Sequence, residues 1–204
     1  MKRIAIFGGS FNPIHNGHLL VAQAVFEAFG FDQLLLVPCQ ISPFKQGQDG
    51  TVVADASQRL DMLRLAVGSD SRFDICDSEA KRQGVSYTID TVRELMTLHP
   101  NTRFSLVMGM DSLLDLYRWR QANELVSLCD IVTVQRPGCD EVPSPSALHF
   151  PLEVAEKIVK NVLRGRLCDI SSTEIRQRIA EGRSIRYLVP LAVEDYILQN
   201  KLWV

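Results

Sequence analysis

Short apolar runs alternate with amphipathic stretches along most of the chain. The apolar runs predict buried strands at residues 4–7, 34–37, 73–76, 104–108 and 131–134. Apolar residues at helical spacing predict helices at residues 17–29, 56–67 and 88–98, with further helical segments between the last two strands. A strand followed by a helix, repeated in this way, is typical of a parallel sheet wrapped by helices. We therefore expect an α/β fold, with an open parallel sheet and helices on both faces.

The pattern changes after the last of these strands. Residues 137–151 contain four prolines and predict an irregular linker. Beyond it the sequence predicts helices over residues 152–163, 172–181 and 190–200, and a short strand over residues 167–170. We expect a single domain over residues 1–204, whose C-terminal part, from about residue 152, is a small helical appendage.

The charge balance limits the classes of partner. The 204 residues carry a net charge of −2, which disfavours bulk binding of nucleic acid. A small anionic ligand held by a few local cations stays possible. Residues 160–186 hold seven basic and three acidic side chains, a local excess of +4 within a nearly neutral chain.

The five cysteines and the short apolar runs indicate the cellular compartment in which we expect the protein. The cysteines are widely spaced and form no C-x-x-C pair, so neither a disulfide framework nor a zinc knuckle fits them. Unpaired thiols suggest a reducing environment. The apolar run that follows Met1-Lys2-Arg3 is too short for a secretory signal, and no stretch approaches the ~20 apolar residues of a membrane span. We expect a cytoplasmic protein that binds neither nucleic acid nor membrane.

The loop after the first predicted strand is the most informative stretch, and residues 8–18 read GGSFNPIHNGH. It leads into the first predicted helix, whose N-terminus offers N–H groups and a partial positive charge that suit a phosphate. Gly8 and Gly9 let the backbone approach a ligand closely. His15 and His18 lie three residues apart, so both imidazoles can donate hydrogen bonds to one phosphate as its oxygens gain charge.

Other interpretations of this loop stay open. A lone histidine is more often structural than catalytic, and two histidines at this spacing also suit zinc. Only His99 and His149 remain, and no Cys/His cluster completes a zinc site. The sequence has neither G-x-G-x-x-G nor G-x-x-x-x-G-K-[ST], so a phosphate would have to be held in another way.

A second candidate anion site lies near the C-terminus, where residues 170–176 read ISSTEIR. Ser171 and Glu174 have capping-box spacing, which predicts a helix that begins at about Ser172. Three hydroxyls, helix N–H groups and the guanidinium of Arg176 together suit an extended polyphosphate. An ordinary capped surface helix is the alternative.

Both stretches resemble motifs of one family. Residues 9–18 resemble the H-x-G-H motif of the nucleotidyltransferase superfamily, and with Ser-Phe-Asn-Pro in front they resemble bacterial nicotinate-mononucleotide adenylyltransferases. Residues 170–176 are similar to that family's I-S-S-T-x-I-R motif, which contacts the ATP phosphates. The resemblance covers nearly the whole chain and implies a Rossmann-like fold with His15 and His18 as catalytic residues. The ATP-binding residues that it implies are Gly8, Gly9, Ser10, Phe11, Lys45, Ser171, Ser172, Thr173 and Arg176.

The resemblance extends to the acceptor substrate. Residues 86–91, SYTIDT, are similar to the family's S-Y-T-x-D-T segment, which implies that Thr88 helps to hold a pyridine carboxylate. Asp111 lies in a G-x-D element after a strand, and Arg136 lies in an R-P-G turn. Trp119 lies where the family uses an aromatic ring to stack on the pyridine, although tryptophan is more often a core residue.

One stretch departs from the family pattern. Relatives commonly have Pro-Pro-His-Lys after the second strand, whereas residues 42–45 of this chain read SPFK. Lys45, a plausible phosphate partner, is kept. Phe44 replaces the imidazole, so the role of that histidine is not carried over.

The resemblance implies adenylyl transfer from ATP to nicotinate mononucleotide, with Mg²⁺ bridging phosphate oxygens and no metal ligand expected from the protein. An oligomer is possible. Alternatives are a sister adenylyl- or cytidylyltransferase with pantetheine phosphate or nicotinamide mononucleotide as acceptor, and a nucleotide-binding regulatory module without catalysis.

Overall fold

The computed structural model describes residues 1–40, 53–82, 84–135, 141–164 and 168–204. Within these residues one parallel sheet has the strand order β3-β2-β1-β4-β5-β6. The strands are β1 (Lys2–Gly9), β2 (Gln33–Pro38), β3 (Phe73–Ile75), β4 (Thr102–Gly109), β5 (Asp130–Val134) and β6 (Val162–Leu163). This order and the parallel pairing are those of a Rossmann-like, doubly wound sheet, which confirms the predicted fold class.

Helices connect the strands of the sheet. The first five are α1 (Asn16–Phe29), α2 (Ala56–Val67), α3 (Ser78–Lys81), α4 (Thr88–Leu98) and α5 (Met110–Leu114). They are followed by α6 (Ala122–Leu128), α7 (Leu152–Lys160), α8 (Ser172–Ala180) and α9 (Leu191–Gln199). Short 3₁₀ turns lie at Leu116–Arg118 and Pro145–Leu148. In the described residues, no helix is both long enough and apolar enough to cross a membrane.

Local sequence explains where several helices begin and end. Asp55 caps α2 by accepting a 2.8 Å hydrogen bond from the backbone N–H of Gln58, whose side chain accepts one from the N–H of Asp55 at 3.0 Å. Helix α1 ends at Gly30, which adopts the left-handed conformation with φ of 60°. These caps satisfy backbone groups that a helix end would otherwise leave without partners.

The core lies on both faces of the sheet. Alternate residues of a strand point to opposite faces, so Ala5 belongs to one buried cluster and Ile4 and Ile6 to the other. Helices α1, α2, α8 and α9 cover the first face, and α4, α5, α6 and α7 cover the second. Helices on both faces are therefore confirmed. The C-terminal part contributes strand β6 to the sheet, and α8 and α9 pack their buried residues into the first cluster.

Two predictions near the C-terminus were wrong. The helix predicted over residues 152–163 ends at Lys160, because Val162 and Leu163 pair with Thr133 and Val134 as strand β6. The strand predicted over residues 167–170 does not form at residues 168–170, and residue 167 lies outside the described residues. Two paired residues are too few to give a recognisable alternation in the sequence.

The strand order indicates where on the sheet a ligand would bind. The sheet is wound outward in both directions from β1 and β4, and ligands of such sheets bind at the carboxyl ends of the strands where the order reverses. The loop after β1 and the residues that follow β4, which include Asp111, lie at that position.

Candidate active site

The loop between β1 and α1 is closed by its two histidines. His15 is the N-cap of α1, and its Nδ1 accepts a 3.3 Å hydrogen bond from the backbone N–H of His18. In return, Nδ1 of His18 accepts a 3.3 Å bond from the N–H of His15. The two rings stack with their centroids 3.6 Å apart. The pair thus forms a capping box in which imidazoles replace the usual serine and glutamate.

This arrangement determines where each imidazole carries its proton. A nitrogen that accepts a hydrogen bond holds a lone pair, so Nδ1 of each neutral ring is unprotonated and Nε2 bears the hydrogen. Each Nε2 is therefore a hydrogen-bond donor at the N-terminus of α1. Two N–H donors beside a helix N-terminus have the chemistry to bind a phosphate that becomes more negative during reaction.

Two glycines allow the rings of the loop to pack. A Cβ on Gly17 would lie 3.0 Å from Nδ1 of His15, and a Cβ on Gly9 would lie 3.0 Å from the ring of Phe11. Larger residues at either position would displace these rings. Phe11 adopts a positive φ of 44° and is buried, with its ring 5.0 Å from that of His18. A Cβ on Gly8 would lie within 4 Å of no atom of the described residues, which leaves room beside this backbone.

The ISSTEIR stretch lies directly against this loop. Ser172 donates a hydrogen bond of 2.9 Å from its hydroxyl to the carbonyl oxygen of Pro13. The guanidinium of Arg176 donates one of 2.8 Å to the carbonyl oxygen of Asn12. A further hydrogen bond joins the start of α1 to the segment after α8: the backbone N–H of Asn16 donates to the carbonyl oxygen of Leu188 at 2.9 Å. The structure thus brings the two sequence motifs together.

The start of α8 follows the capping prediction in part. The hydroxyl of Ser171 accepts a 3.1 Å hydrogen bond from the backbone N–H of Glu174. The carboxylate of Glu174 lies 3.8 Å from Arg178 in an ion pair. Thr173 accepts a 3.2 Å hydrogen bond from Arg176, and burial lowers the pKa of that guanidinium, which nevertheless stays charged. Hydroxyls and a partly buried cation therefore surround this helix N-terminus.

Arg59 is a site residue that the sequence pattern did not reveal. Its guanidinium is only 2% exposed and donates to three backbone carbonyl oxygens. These belong to Ser10 at 2.9 Å, Cys39 at 2.7 Å and Ala54 at 3.2 Å. Burial lowers the pKa of Arg59, an effect partly opposed by Cys39 and Asp55. Arg59 thus fixes the first loop to the end of β2, and it adds a positive charge at the carboxyl edge of the sheet.

Asn12 is a second residue that was missed. Its side-chain oxygen accepts a 3.0 Å hydrogen bond from the backbone N–H of Ala54, and its own carbonyl oxygen accepts from Arg176. It is 4% exposed. An asparagine in a loop predicts a turn, so no feature of the sequence indicated that this one joins three segments.

Three of the predicted acceptor residues, Thr88, Asp111 and Trp119, lie at a separate part of the same edge. Thr88 is the first residue of α4, and Asp111 is exposed in the first turn after β4. Trp119 is partly buried and packs against the second core cluster. The guanidinium of Arg120 lies 4.6 Å from the ring centre of Tyr87, which brings the segment of Trp119 beside the segment of Thr88.

Several predictions fall outside the described residues. Lys45 and Phe44 lie in residues 41–52, and Arg136 lies in residues 136–140. In the described part of the chain, no group of three or more His, Cys, Asp or Glu side chains is arranged to hold a metal ion. Mg²⁺ often binds through substrate phosphates and keeps several waters, so a magnesium ion would not need such a group from the protein.

A cavity at the amino edge of the sheet lies away from the two motifs. A cavity of about 340 Å³ at the amino ends of β1 and β4 is lined by Arg3, Arg103, Asp130 and Lys157, among others. Among the described residues, none of its lining side chains belongs to the two motifs. The chemistry indicated by the sequence therefore lies at the carboxyl edge, away from this cavity.

Comparison with known proteins agrees with this geometry. The sequence model of the cytidylyltransferase-like family matches residues 6–178. A probable nicotinate-nucleotide adenylyltransferase of Synechococcus sp. (strain JA-2-3B'a(2-13)) is 42% identical over 205 residues, which cover 100% of this chain and 98% of the relative. One of the same name from Geobacter sp. (strain M21) is 38% identical and covers 99% of this chain and 98% of the relative.

A solved structure shares the fold. The nicotinic acid mononucleotide adenylyltransferase of Plasmodium falciparum, complexed with NaAD, superposes with a TM-score of 0.75 at 20% identity and covers 100% of this chain and 98% of that one. At this identity the likeness shows the fold alone. Because the sequence relatives match over nearly their whole length, however, the chain belongs to the nicotinate-nucleotide adenylyltransferases of the cytidylyltransferase-like family.

Proposed function

We propose that this protein transfers the adenylyl group of ATP to the phosphate of nicotinate mononucleotide, forming nicotinate adenine dinucleotide and pyrophosphate. The observation that carries the proposal is the contact between the histidine loop and the N-terminus of α8, made by Arg176 and Ser172. Two groups of anion-binding donors meet there at the switch point of the sheet, which suits a triphosphate. The relatives carry the same activity in their names.

The reaction needs no covalent intermediate with the protein. An oxygen of the mononucleotide phosphate attacks the α-phosphorus of ATP, and the bond from that phosphorus to the oxygen bridging to the β-phosphate breaks. Pyrophosphate leaves with the electron pair. Since the nucleophile is already an anion, catalysis consists of aligning two anions and stabilising the charge that develops between them.

The histidine pair would act at the α-phosphate. The Nε2–H groups of His15 and His18 would donate to its non-bridging oxygens, which gain charge as phosphorus is attacked. The backbone of Gly8, Gly9, Ser10 and Phe11 would lie along the nucleotide. These donors are held in place before substrate arrives, because the capping box fixes both rings and Arg59 fixes the carbonyl of Ser10.

The β- and γ-phosphates would lie at α8. The hydroxyls of Ser171, Ser172 and Thr173, together with Arg176 and Lys45, would hold them. Mg²⁺ held on the phosphates of ATP would neutralise part of their charge. The acceptor would bind beside α4, with Thr88 at its carboxylate and Trp119 against the pyridine ring. Asp111 and Arg136 would contact the rest of the acceptor.

The setting of the activity is also a proposal. We treat residues 1–204 as one domain, because β6 extends the main sheet and α8 contacts the first loop. We place the protein in the cytoplasm, because Cys76, Cys129 and Cys168 are free thiols, as in a reducing compartment.

Release of pyrophosphate from ATP with a panel of acceptors tests this function. We expect turnover with nicotinate mononucleotide. Turnover only with pantetheine phosphate, or only with CTP as donor, would identify a sister enzyme instead. Binding of ATP without turnover of any acceptor would indicate a regulatory module.

A further inference from the structure

Glu79 is a buried carboxylate outside every motif described above. It lies in the short helix α3 and is 8% exposed. The hydroxyl of Thr91 donates a hydrogen bond of 2.6 Å to its Oε1, and the hydroxyl of Ser86 lies near enough to the carboxylate to lower its pKa. Removal of a carboxylate from water is costly, so a glutamate at this position requires such partners. Packing alone would be served better by an apolar side chain.

The two hydroxyls connect Glu79 to the acceptor side of the site. Ser86 accepts a 3.2 Å hydrogen bond from the backbone N–H of Gln40, at the carboxyl end of β2. Thr91 lies in the first turn of α4 and accepts a 3.3 Å bond from Arg82. Ser86 and Thr91 stand on either side of Tyr87 and Thr88 in the sequence, so the carboxylate holds both ends of the segment that begins α4.

We infer that Glu79 is a positioning residue for the acceptor mononucleotide, which it serves by fixing Ser86 and Thr91 and hence the first turn of α4 that carries Thr88. This inference rests on the proposed function, because it takes Thr88 to contact the acceptor. Glu79 itself touches neither the substrates nor the reacting atoms. A shift of a fraction of an ångström in such a segment is enough to weaken binding of a rigid ring and its carboxylate.

The ATP side is held by different residues. The contacts that join α8 to the first loop are those of Ser172 with Pro13 and of Arg176 with Asn12. They share no residue with the hydrogen bonds of Glu79. Loss of the carboxylate should therefore affect the two substrates unequally, which a general loss of stability would not do.

Two conservative variants test the inference by steady-state kinetics. Glu79→Gln keeps the shape of the side chain and removes the negative charge that faces the hydroxyls of Thr91 and Ser86. Thr91→Val keeps its volume and removes the donor. We expect the KM for nicotinate mononucleotide to rise about tenfold in each variant, with the KM for ATP changed less than about twofold. The double variant should resemble the single ones, because both weaken the same contact.

Glu94→Gln is the matched control. Glu94 accepts a 2.6 Å hydrogen bond from Arg82 in the same group of side chains, but it is more exposed and contacts neither hydroxyl in the described structure. We expect both KM values to stay at the wild-type level. An equal rise in this control would contradict the role given to the hydroxyl contacts.

The remaining outcomes separate the two proposals. If the wild type turns over nicotinate mononucleotide and Glu79→Gln and Thr91→Val only lower the melting temperature, Glu79 is structural and the inference is wrong. Equal increases in both KM values would also overturn it. If the wild type shows no turnover with this acceptor, the proposed function fails first, and the positioning role fails with it. Should Glu79→Gln not fold, Thr91→Val gives the answer alone.

Discussion

Arg176 donates a hydrogen bond of 2.8 Å to the carbonyl oxygen of Asn12, a residue 164 positions earlier in the chain. The bond joins the N-terminus of α8 to the histidine loop at the switch point of the sheet. In the proposed mechanism neither motif would hold the triphosphate alone, because the loop would supply the donors for the α-phosphate and α8 those for the other two. In that mechanism one guanidinium would bind both the carbonyl of Asn12 and a phosphate.

Arg176→Lys should weaken ATP binding more than it weakens the fold. Lysine keeps the charge but not the planar fork, so it cannot bind the carbonyl of Asn12, Thr173 and a phosphate at once. We expect the KM for ATP to rise about tenfold or more, measured at saturating mononucleotide. Arg178→Lys, two residues further along α8, is the control and should leave the KM unchanged. An unchanged KM in Arg176→Lys would remove this residue from the site.

His18→Ala should reduce kcat strongly. The substitution removes one donor to the α-phosphate, and loss of one such preorganised donor typically lowers kcat about 10²–10³-fold. Because His18 also takes part in the cap of α1, the melting temperature must be measured beside the rate of pyrophosphate release. His99→Ala, at the exposed end of α4, should have wild-type activity. Near wild-type turnover of His18→Ala would contradict a catalytic role.

Arg59→Met should destabilise the protein as well as slow it. Methionine fills similar space but leaves three buried carbonyl oxygens without their donor, which we expect to lower the free energy of unfolding by about 3 kcal/mol or more. Urea denaturation measures this loss. Arg64→Met, on the exposed side of the same helix, should change the free energy by less than about 0.5 kcal/mol. Equal stabilities of the two variants would mean that the buried contacts of Arg59 contribute little.

The stability of the protein should depend on pH through Glu79. Burial raises the pKa of its carboxyl, and the hydrogen bonds from Thr91 and Ser86 and the charge of Arg82 only partly oppose this effect. A raised pKa means that the folded state binds the proton more tightly than the unfolded state. The resulting stability is fully present below the ordinary glutamate pKa and is lost as pH rises through the raised one.

Urea denaturation of the wild type and Glu79→Gln over this pH range measures the effect. As pH rises from the ordinary to the raised pKa, the wild type should lose free energy of unfolding relative to Glu79→Gln. Above that range the difference between the two proteins should be constant. Parallel pH profiles would show that Glu79 titrates alike in the folded and unfolded protein.

The sequence predicts those parts of the structure that depend on neighbouring residues. The bounds of α2 and α4 follow from apolar spacing, and the loop of His15 and His18 is recognisable because its residues act within one turn. Arg59 and Glu79 could not be identified in this way. Each lies in an ordinary helical segment, and the partners of Arg59 are backbone carbonyls, which every residue has. Only the folded chain shows that these three carbonyls converge.

The central claim, that this protein makes nicotinate adenine dinucleotide, is tested most directly by competition. Nicotinate mononucleotide and nicotinamide mononucleotide are supplied together at equal concentration with ATP and Mg²⁺, and the two dinucleotide products are separated and quantified. We expect nicotinate adenine dinucleotide to predominate by about tenfold or more, since a site built for the carboxylate leaves its donors poorly matched by the amide. Predominance of the nicotinamide product, or the absence of both products, would contradict the claim.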